Sequence, residues 1–266
     1  MELASNVLPG EGRPLVVLHG LLGSGRNWLG PARRLNESGR PVVLADLRSH
    51  GQSPWARPMS YDAMADDVAR LIAGLDSEAV DLLGHSMGGK VAMNLALRRP
   101  DRVARLVLVD IAPIAYRHRS FTDYLLAMRA LDLAQVQRRG DADRLMEPAV
   151  PDVAMRSFLL QNLESDGGGG FHWRVDVDLL LAALPDLVGW TDPPGTPPFT
   201  GPALALRGAL SPYVDEVGEA ALRRLFPAVE IESLPEAGHW PHVEAAEPFL
   251  SALQAFLVRP DGRPAT

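Results

Sequence analysis

Cysteine is absent from the 266-residue sequence, and residues of positive charge are in the minority. The lack of cysteine excludes disulfides, thiolate catalysis and zinc sites with cysteine ligands. Lysine and arginine together number 26 against 33 aspartates and glutamates, which gives a formal net charge of −7. An acidic balance of this kind argues against a nucleic-acid-binding surface. We therefore expect neither a disulfide scaffold nor a nucleic-acid partner.

Long hydrophobic runs are missing as well. No stretch of the sequence approaches the roughly 18 consecutive apolar residues that a membrane-spanning helix requires. Residues 1–6 have neither a basic start nor an apolar segment, so no secretory signal is predicted. Hydrophobic residues still make up 47% of the chain, which is enough for a sizeable core. These features predict a cytoplasmic protein without a membrane span.

Short apolar runs alternate with longer amphipathic segments along most of the chain. This alternation is typical of an α/β fold, in which helices flank a mostly parallel central sheet. Because most of these runs are apolar on both faces, we expect the strands to lie in the middle of the sheet. The predicted strands are residues 15–18, 42–45, 80–83, 106–109, 203–206 and 229–234. Helices are predicted over residues 61–75 and 249–257.

The middle of the chain interrupts this alternation. Helical patterns occur near residues 121–133 and 177–184, without a convincing core strand between them. We therefore predict a helical cap over residues 112–200, inserted into a core formed by residues 1–111 and 201–266. A tract of four glycines, Gly167 to Gly170, lies inside this segment. A hinge and a plain exposed loop both fit the tract, and the loop is the simpler interpretation.

The sequence Gly84-His85-Ser86-Met87-Gly88 is a G-x-S-x-G motif that lies between a predicted strand and a predicted helix. This is the context of a nucleophile elbow, in which a sharp turn exposes the serine hydroxyl. Glycine on either side allows the close backbone packing that such a strained turn needs. The amides at the start of the following helix favour negative charge beside the serine. The motif therefore predicts a serine hydrolase with Ser86 as its nucleophile.

A serine nucleophile requires a base that accepts its proton. His239 follows the last predicted strand by a short loop, which places it at the carboxyl edge of the sheet, where Ser86 also lies. His242 is close in sequence and remains an alternative base. His19 and His50 lie in turns at strand ends, where bracing of the backbone is the simpler interpretation.

Four motifs occur in an order that resembles the α/β-hydrolase family. They are His19-Gly20-Leu21-Leu22-Gly23-Ser24, Asp46-Leu47-Arg48-Ser49-His50-Gly51-Gln52-Ser53, Gly84-His85-Ser86-Met87-Gly88-Gly89 and Gly238-His239-Trp240. The resemblance covers the predicted core and leaves the predicted cap uncovered. It implies the α/β-hydrolase fold, with Ser86 as nucleophile and His239 as general base. It also implies an oxyanion hole formed by the backbone amides of Leu21 and Met87.

The acidic member of the expected Ser-His-Asp triad is not where most family members carry it. The turn after the next-to-last strand reads Gly208-Ala209-Leu210-Ser211, with serine in place of the usual aspartate. Asp110 ends the strand that follows the nucleophile strand, where some members place the acid. Asp215 is a second candidate, but it would need the loop to fold back. We favour Asp110.

Further residues are similar to a narrower group of small bacterial and mitochondrial esterases. They are the Val-Asp-Ile-Ala-Pro sequence from Val109 to Pro113 and the Ser-Pro-Tyr-Val sequence from Ser211 to Val214. The resemblance implies hydrolysis of carboxylic esters, or of acyl thioesters, with small to medium acyl groups through an acyl-enzyme on Ser86. A carbon–carbon bond hydrolase or lyase is the alternative, and a small-molecule receptor is a further one. No metal or cofactor is predicted, and the expected assembly is a monomer or homodimer.

Aromatic residues are the candidates for substrate binding. Those in the predicted cap, Tyr116, Trp173 and Trp190, could equally form its own small core. The candidate pocket residues are Trp28, His85, Tyr116, Trp173, Trp190 and Trp240.

Overall fold

The main sheet has seven strands and is parallel except at one edge. A computed structural model describes residues 1–117 and 120–259. The strands in chain order are β1 (Ser5–Leu8), β2 (Leu15–Leu18), β3 (Val42–Ala45), β4 (Val80–His85), β5 (Val103–Val109), β6 (Leu163–Ser165), β7 (Phe171–Trp173), β8 (Ala203–Gly208) and β9 (Val229–Leu234). The main sheet has the order β1-β3-β2-β4-β5-β8-β9, and only β1 runs antiparallel to its neighbour.

Helices cover both faces of this sheet. They are α1 (Leu29–Asn36), α2 (Tyr61–Ala73), α3 (Met87–Arg98), α4 (Ser120–Ala130), α5 (Arg139–Met146), α6 (Val153–Leu160), α7 (Val177–Val188), α8 (Glu216–Leu225), α9 (Pro241–Glu244) and α10 (Ala246–Leu257). Alternate residues of the inner strands β2, β3, β4, β5 and β8 contribute to two separate hydrophobic clusters. Val16 and Leu18 pack with α2 and α3, whereas Leu15 and Val17 pack with α1 and α10. This two-sided burial explains why β2 and β3 are apolar at every position.

The fold class predicted from the sequence is confirmed. Each predicted strand is present, and β4, β5 and β8 are longer than their apolar runs. Strand β1 was missed because it is short and largely exposed at the sheet edge, so it has no apolar run. No helix within residues 1–117 and 120–259 is long and apolar enough to cross a membrane.

Residues between β5 and β8 contain α4 to α7 and a small antiparallel hairpin of β6 and β7. The four glycines form the loop of this hairpin, where Asp166 accepts hydrogen bonds from the amides of Gly168 and Gly170. Buried residues of α4 and α7, such as Leu125 and Leu180, share one hydrophobic cluster with the sheet. The division into core and cap stays a prediction. Residues 118, 119 and 260–266 of the predicted units lie outside the described residues.

Candidate active site

Ser86 occupies the sharp turn between β4 and α3. Its backbone has φ 53° and ψ −120°, a conformation that residues other than glycine rarely adopt. The flanking glycines are required by close backbone contacts. A Cβ atom on Gly84 would lie 2.3 Å from the Gly88 carbonyl oxygen, and one on Gly88 would lie 2.5 Å from the His19 carbonyl oxygen. The turn therefore holds the serine at the carboxyl edge of the sheet, as the sequence motif predicted.

Three side chains from different strand ends meet in one hydrogen-bonded chain. His239 Nε2 lies 3.1 Å from Ser86 Oγ, and His239 Nδ1 lies 2.8 Å from Asp110 Oδ2. The carboxylate can only accept a hydrogen bond, so Nδ1 carries the proton when the imidazole is neutral. Nε2 is then the acceptor that faces the serine hydroxyl. This arrangement can remove the proton from Ser86 when the hydroxyl attacks a carbonyl.

Asp110 is held in place by more than the histidine. Its side chain is 1% exposed, and its backbone has φ 49°. The Gly208 amide donates to Asp110 Oδ1 at 3.0 Å, and the Ser211 hydroxyl donates to Asp110 Oδ2. Hydrogen bonds to a carboxylate are stronger than those between neutral groups. Ser211 thus occupies the position where the family resemblance expects the acid, and its hydroxyl is hydrogen-bonded to Asp110, the acid that the sequence analysis favours.

Asp215, the alternative acid, has a different place in the structure. It is the N-terminal cap of α8, and its carboxylate accepts the Gly218 amide at 2.8 Å. Such a cap satisfies one of the unpaired amides at a helix start. The structure brings Asp110, not Asp215, to the imidazole of His239.

The His239 ring is also fixed through its faces. Tyr213 stacks on the imidazole with ring centres 3.9 Å apart and an angle of 17° between the planes. The Tyr116 hydroxyl donates to the Tyr213 carbonyl oxygen at 2.8 Å. Tyr213 was missed by sequence reasoning, although it lies two residues after Ser211 in the Ser-Pro-Tyr-Val sequence. Tyr213 and His239 are far apart in the sequence, so no local pattern predicts that their rings stack.

His85 and His242 form an aromatic support beside His239. His85 Nε2 donates to the His239 carbonyl oxygen at 2.8 Å, which positions the backbone of the proposed base. Trp28 stacks on His242 with ring centres 4.1 Å apart. Burial lowers the pKa of His242 to about 3 and the pKa of His85 well below its usual value, so both rings are neutral near pH 7. Of the histidines in the described ranges, His239 is the one hydrogen-bonded to Ser86.

Two backbone amides near Ser86 have the properties of oxyanion donors. Leu21 follows the His19-Gly20 turn after β2, and Met87 begins α3. Neither amide donates a hydrogen bond to another part of the described chain. The Met87 amide is one of the unpaired donors at a helix N-terminus, where partial positive charge accumulates. Both residues line the space next to Ser86.

Two cavities of very different size adjoin Ser86. The large one has a volume of about 310 Å³, and the small one has a volume of about 30 Å³. Among the predicted pocket residues, Trp28, His85 and Trp240 line the large cavity, and Tyr116 lines the small one. These four residues therefore lie at the cavities beside Ser86, and their role in substrate binding stays a prediction.

Trp173 and Trp190 line neither of the two cavities at Ser86. The Trp173 indole donates to the Met128 carbonyl oxygen at 3.0 Å, and the Trp190 indole donates to Asp192 at 2.7 Å. The Trp190 ring also lies 6.1 Å, centre to centre, from the ring of Tyr61 on α2. The role of both tryptophans in substrate binding stays a prediction. The sequence could not separate a role in packing from one in substrate binding, because aromatic residues serve both.

Lys90 is an unexpected polar residue close to Ser86. Its side chain is buried, and Nζ donates to the carbonyl oxygens of Val188 at 3.0 Å and Gly189 at 2.7 Å. The ammonium also lies 4.7 Å from the centre of the Tyr116 ring. Burial lowers the pKa of Lys90 to about 7. Lys90 therefore joins the first turns of α3 to the end of α7.

Comparison with known proteins places these features in a wider group. A family model described as the alpha/beta hydrolase fold matches residues 13–246. The chain is 39% identical over 265 residues to a mouse (Mus musculus) protein named sn-1-specific diacylglycerol lipase ABHD11, covering 97% of this chain and 85% of that protein. It is 35% identical over 247 residues to esterase YbfF of Escherichia coli strain K12, covering 92% of each.

A solved structure also matches nearly the whole chain. The structure is of an esterase from a marine microorganism, with a TM-score of 0.92 and 32% sequence identity. The match covers 96% of this chain and 99% of that one. Since it spans both the main sheet and the segment between β5 and β8, the likeness extends beyond the residues around Ser86.

Proposed function

Since this chain belongs to the α/β-hydrolase family and is a carboxylic ester hydrolase, we propose that it cleaves its substrates through an acyl-enzyme on Ser86. The observation that carries the proposal is the hydrogen-bonded chain from Ser86 Oγ through His239 to Asp110. In this proposal Ser86 is the nucleophile, His239 the general base and acid, and Asp110 the orienting acid. The amides of Leu21 and Met87 form the oxyanion hole.

The first half of the reaction transfers the acyl group to the serine. His239 Nε2 takes the proton from Ser86 Oγ as this oxygen forms a bond to the ester carbonyl carbon. The carbonyl oxygen becomes an oxyanion, which accepts hydrogen bonds from the two amides. One such donor contributes on the order of a hundredfold or more in rate. The bond to the alcohol oxygen then breaks, and the proton on Nε2 passes to the departing alcohol.

The second half repeats these steps with water. His239 Nε2 takes a proton from a water molecule while the water oxygen attacks the acyl carbon. The tetrahedral oxyanion forms again at the same two amides, and its collapse breaks the bond to Ser86 Oγ. Nε2 returns its proton to the serine, and the carboxylic acid leaves. Throughout, the Asp110 carboxylate stabilises the positive charge that the imidazole acquires.

Residues 112–200 act as a cap over this site in our proposal. Phe121 and Phe158, which lie between β5 and β8, line the large cavity together with Trp240 from the main fold. This placement supports a role of the segment in substrate selection, with small to medium acyl groups as the expected range. Thioesters suit the same chemistry, because a thiolate is a leaving group that also accepts the proton from His239.

Ester hydrolysis is favoured over the two alternatives. A carbon–carbon bond hydrolase or lyase and a small-molecule receptor share this scaffold, but the relatives described above are named as an esterase and a lipase. A receptor would react at Ser86 once and turn over little. Turnover on esters therefore separates the proposed enzyme from a receptor.

The test compares wild-type protein with Ser86→Ala and with Ser251→Ala, which removes an exposed serine hydroxyl on α10. We expect Ser86→Ala to abolish hydrolysis of p-nitrophenyl acetate and to lose labelling by a fluorophosphonate. The Ser251→Ala control should retain both. Intact mass after rapid acid quench should show one acetyl group on wild-type protein and none on Ser86→Ala. Full activity of Ser86→Ala, with the same circular dichroism spectrum, would remove the basis of the mechanism.

A further inference from the structure

We propose that the two cavities at Ser86 divide the ester between them, with a short acyl group in the small cavity and a bulkier apolar alcohol in the large one. This inference rests on the proposed function, because it assigns the two sides of the same acyl transfer. It names the substrate class as acetyl- to propionyl-sized esters of hydrophobic alcohols.

The position of His239 determines on which side the alcohol leaves. His239 lines the large cavity together with Trp240 and His242, and it does not line the small one. When the acyl-enzyme forms, His239 Nε2 gives its proton to the departing alcohol oxygen. This oxygen must therefore lie within hydrogen-bond distance of Nε2. The alcohol part of the ester is therefore expected on the His239 side of Ser86, where the large cavity lies.

The acyl part is placed by the two proposed oxyanion donors. Met87 lines the small cavity and not the large one, whereas Leu21 and Ser86 line both and so lie at the boundary between them. A carbonyl oxygen bound by the Leu21 and Met87 amides puts the carbonyl carbon above Ser86 Oγ. The substituent on that carbon then lies away from the departing alcohol, because the two groups are separate substituents of the tetrahedral centre. The small cavity is the space available on that side.

The volumes determine which groups fit. A cavity must have a volume of at least about 10–15 Å³ to hold one water molecule. The small cavity has a volume of about 30 Å³, so it accepts a methyl or ethyl group and little more. The large cavity of about 310 Å³ falls in the range of sites that hold a drug-sized ligand. The aromatic residues Trp28, Phe158 and Trp240, which line only this one of the two cavities, favour an apolar alcohol.

The far wall of the small cavity is held by several hydrogen bonds. This wall consists of Leu187 and Val188 at the end of α7. The Tyr61 hydroxyl donates to the Leu187 carbonyl oxygen. Val188 accepts from the Tyr116 amide at 2.9 Å and from Lys90 Nζ at 3.0 Å. Because these contacts tie α7 to α2 and α3, the wall resists the displacement that a longer acyl chain would require.

The first experiment uses wild-type protein and two substrate series. In one series, p-nitrophenyl esters vary from acetate to octanoate. In the other, acetate esters of primary alcohols of similar acidity vary from ethyl to 2-(2-naphthyl)ethyl, so that the size of the alcohol changes and its quality as a leaving group does not. We expect kcat/KM to fall at least about tenfold from acetate to octanoate, and to rise at least about tenfold from the ethyl to the naphthylethyl ester. Equal or higher kcat/KM for octanoate, or no gain for the naphthylethyl ester, would overturn the proposal.

The second experiment enlarges each cavity separately. Leu187→Ala shortens the wall of the small cavity, and Phe158→Ala is the matched control in the large cavity on α6. We expect Leu187→Ala to raise the octanoate-to-acetate ratio of kcat/KM at least about fivefold, while Phe158→Ala leaves this ratio unchanged. The opposite pattern would overturn the proposal.

The wild-type series keeps the proposal testable even where Leu187→Ala fails to fold. The mass of the acyl-enzyme shows whether a failure concerns the division of the cavities or the proposed mechanism. An acyl adduct on Ser86 with every ester, but without the expected length preference, rejects the division of the cavities and leaves the proposed mechanism intact. The lack of any adduct on Ser86 rejects the mechanism itself.

Discussion

Replacement of Asp110 by asparagine tests the proposed acid with almost no change in side-chain size. The carboxylate accepts hydrogen bonds at both oxygens, from the Gly208 amide on one side and from His239 and Ser211 on the other. An asparagine has only one oxygen, so one side must face an NH₂ group. Both orientations of the amide therefore conflict with a partner in the site.

If the NH₂ group faces His239, Nδ1 has to accept a hydrogen bond and gives up its proton. The proton then resides on Nε2, which can no longer accept the proton of Ser86. If the NH₂ group faces Gly208 instead, two donors meet at a contact of 3.0 Å, and a hydrogen bond to a charged group is lost. That loss is about 1.5–3 kcal/mol, which leaves only a minor fraction of molecules in this second orientation.

Two effects lower kcat. Only a minor fraction of the molecules has the amide in the second orientation, and the negative charge beside the imidazolium is missing in all of them. We expect kcat to fall about 10³- to 10⁴-fold, equivalent to about 4–5.5 kcal/mol of transition-state stabilisation. KM should change little, since Asp110 lines neither cavity. The free energy of unfolding should fall by no more than about 3 kcal/mol, the cost of the conflicting contact.

The assay measures steady-state hydrolysis of p-nitrophenyl acetate and urea unfolding of wild type, Asp110→Asn and Asp215→Asn. Asp215→Asn is the matched control, because asparagine caps a helix about as well as aspartate. We expect its kcat to lie within about twofold of wild type. Retained activity of Asp110→Asn, or a large loss confined to Asp215→Asn, would refute the assignment of the acid.

Three further changes test other parts of the structure. Ser211→Ala removes a hydrogen bond to the Asp110 carboxylate, so kcat on p-nitrophenyl acetate should fall about tenfold and the free energy of unfolding by about 1.5–3 kcal/mol. An unchanged kcat would contradict the role given to the Ser211 hydroxyl. Gly88→Ala puts a Cβ 2.5 Å from two backbone oxygens, so thermal unfolding should show a loss of several degrees or more; wild-type stability would contradict the predicted contact. Burial lowers the pKa of Lys90 from 10.5 to about 7, so the unfolded chain binds more protons between these pH values and the folded state gains stability as pH rises. Relative to Lys90→Met, wild type should gain up to about 1.4 kcal/mol per pH unit from pH 7 to 10 in urea unfolding, and a constant difference would contradict a lowered pKa.

The main sheet could be predicted from sequence because its strands are buried on both sides. Some runs are apolar at each position, such as Leu15–Leu18 and Val42–Ala45. A short run of this kind, within an alternation of strands and helices, favours a buried strand over other secondary structure. The β6–β7 hairpin gave no such signal, since its strands are three residues long and partly exposed. Its position depends on packing between distant segments, which a local pattern does not record.

The contacts around Ser86 were predictable to different degrees. The elbow glycines are fixed by steric contacts, so the motif points directly to Ser86. The serine at position 211 made Asp110 the favoured acid, and the structure brings Asp110 to His239. By contrast, Lys90 lies in the mainly apolar helix α3, and its acceptors are almost a hundred positions away at the end of α7. No local pattern indicates such a partner.

The hydrogen bond between Ser211 and Asp110 limits which residues suit position 211. An aspartate there would place a second carboxylate against the buried Asp110, and one of the two would hold a proton. The Ser211 hydroxyl instead donates a hydrogen bond to the Asp110 carboxylate and adds no second negative charge. As long as Asp110 keeps its place, position 211 is therefore expected to favour a neutral residue that can donate a hydrogen bond.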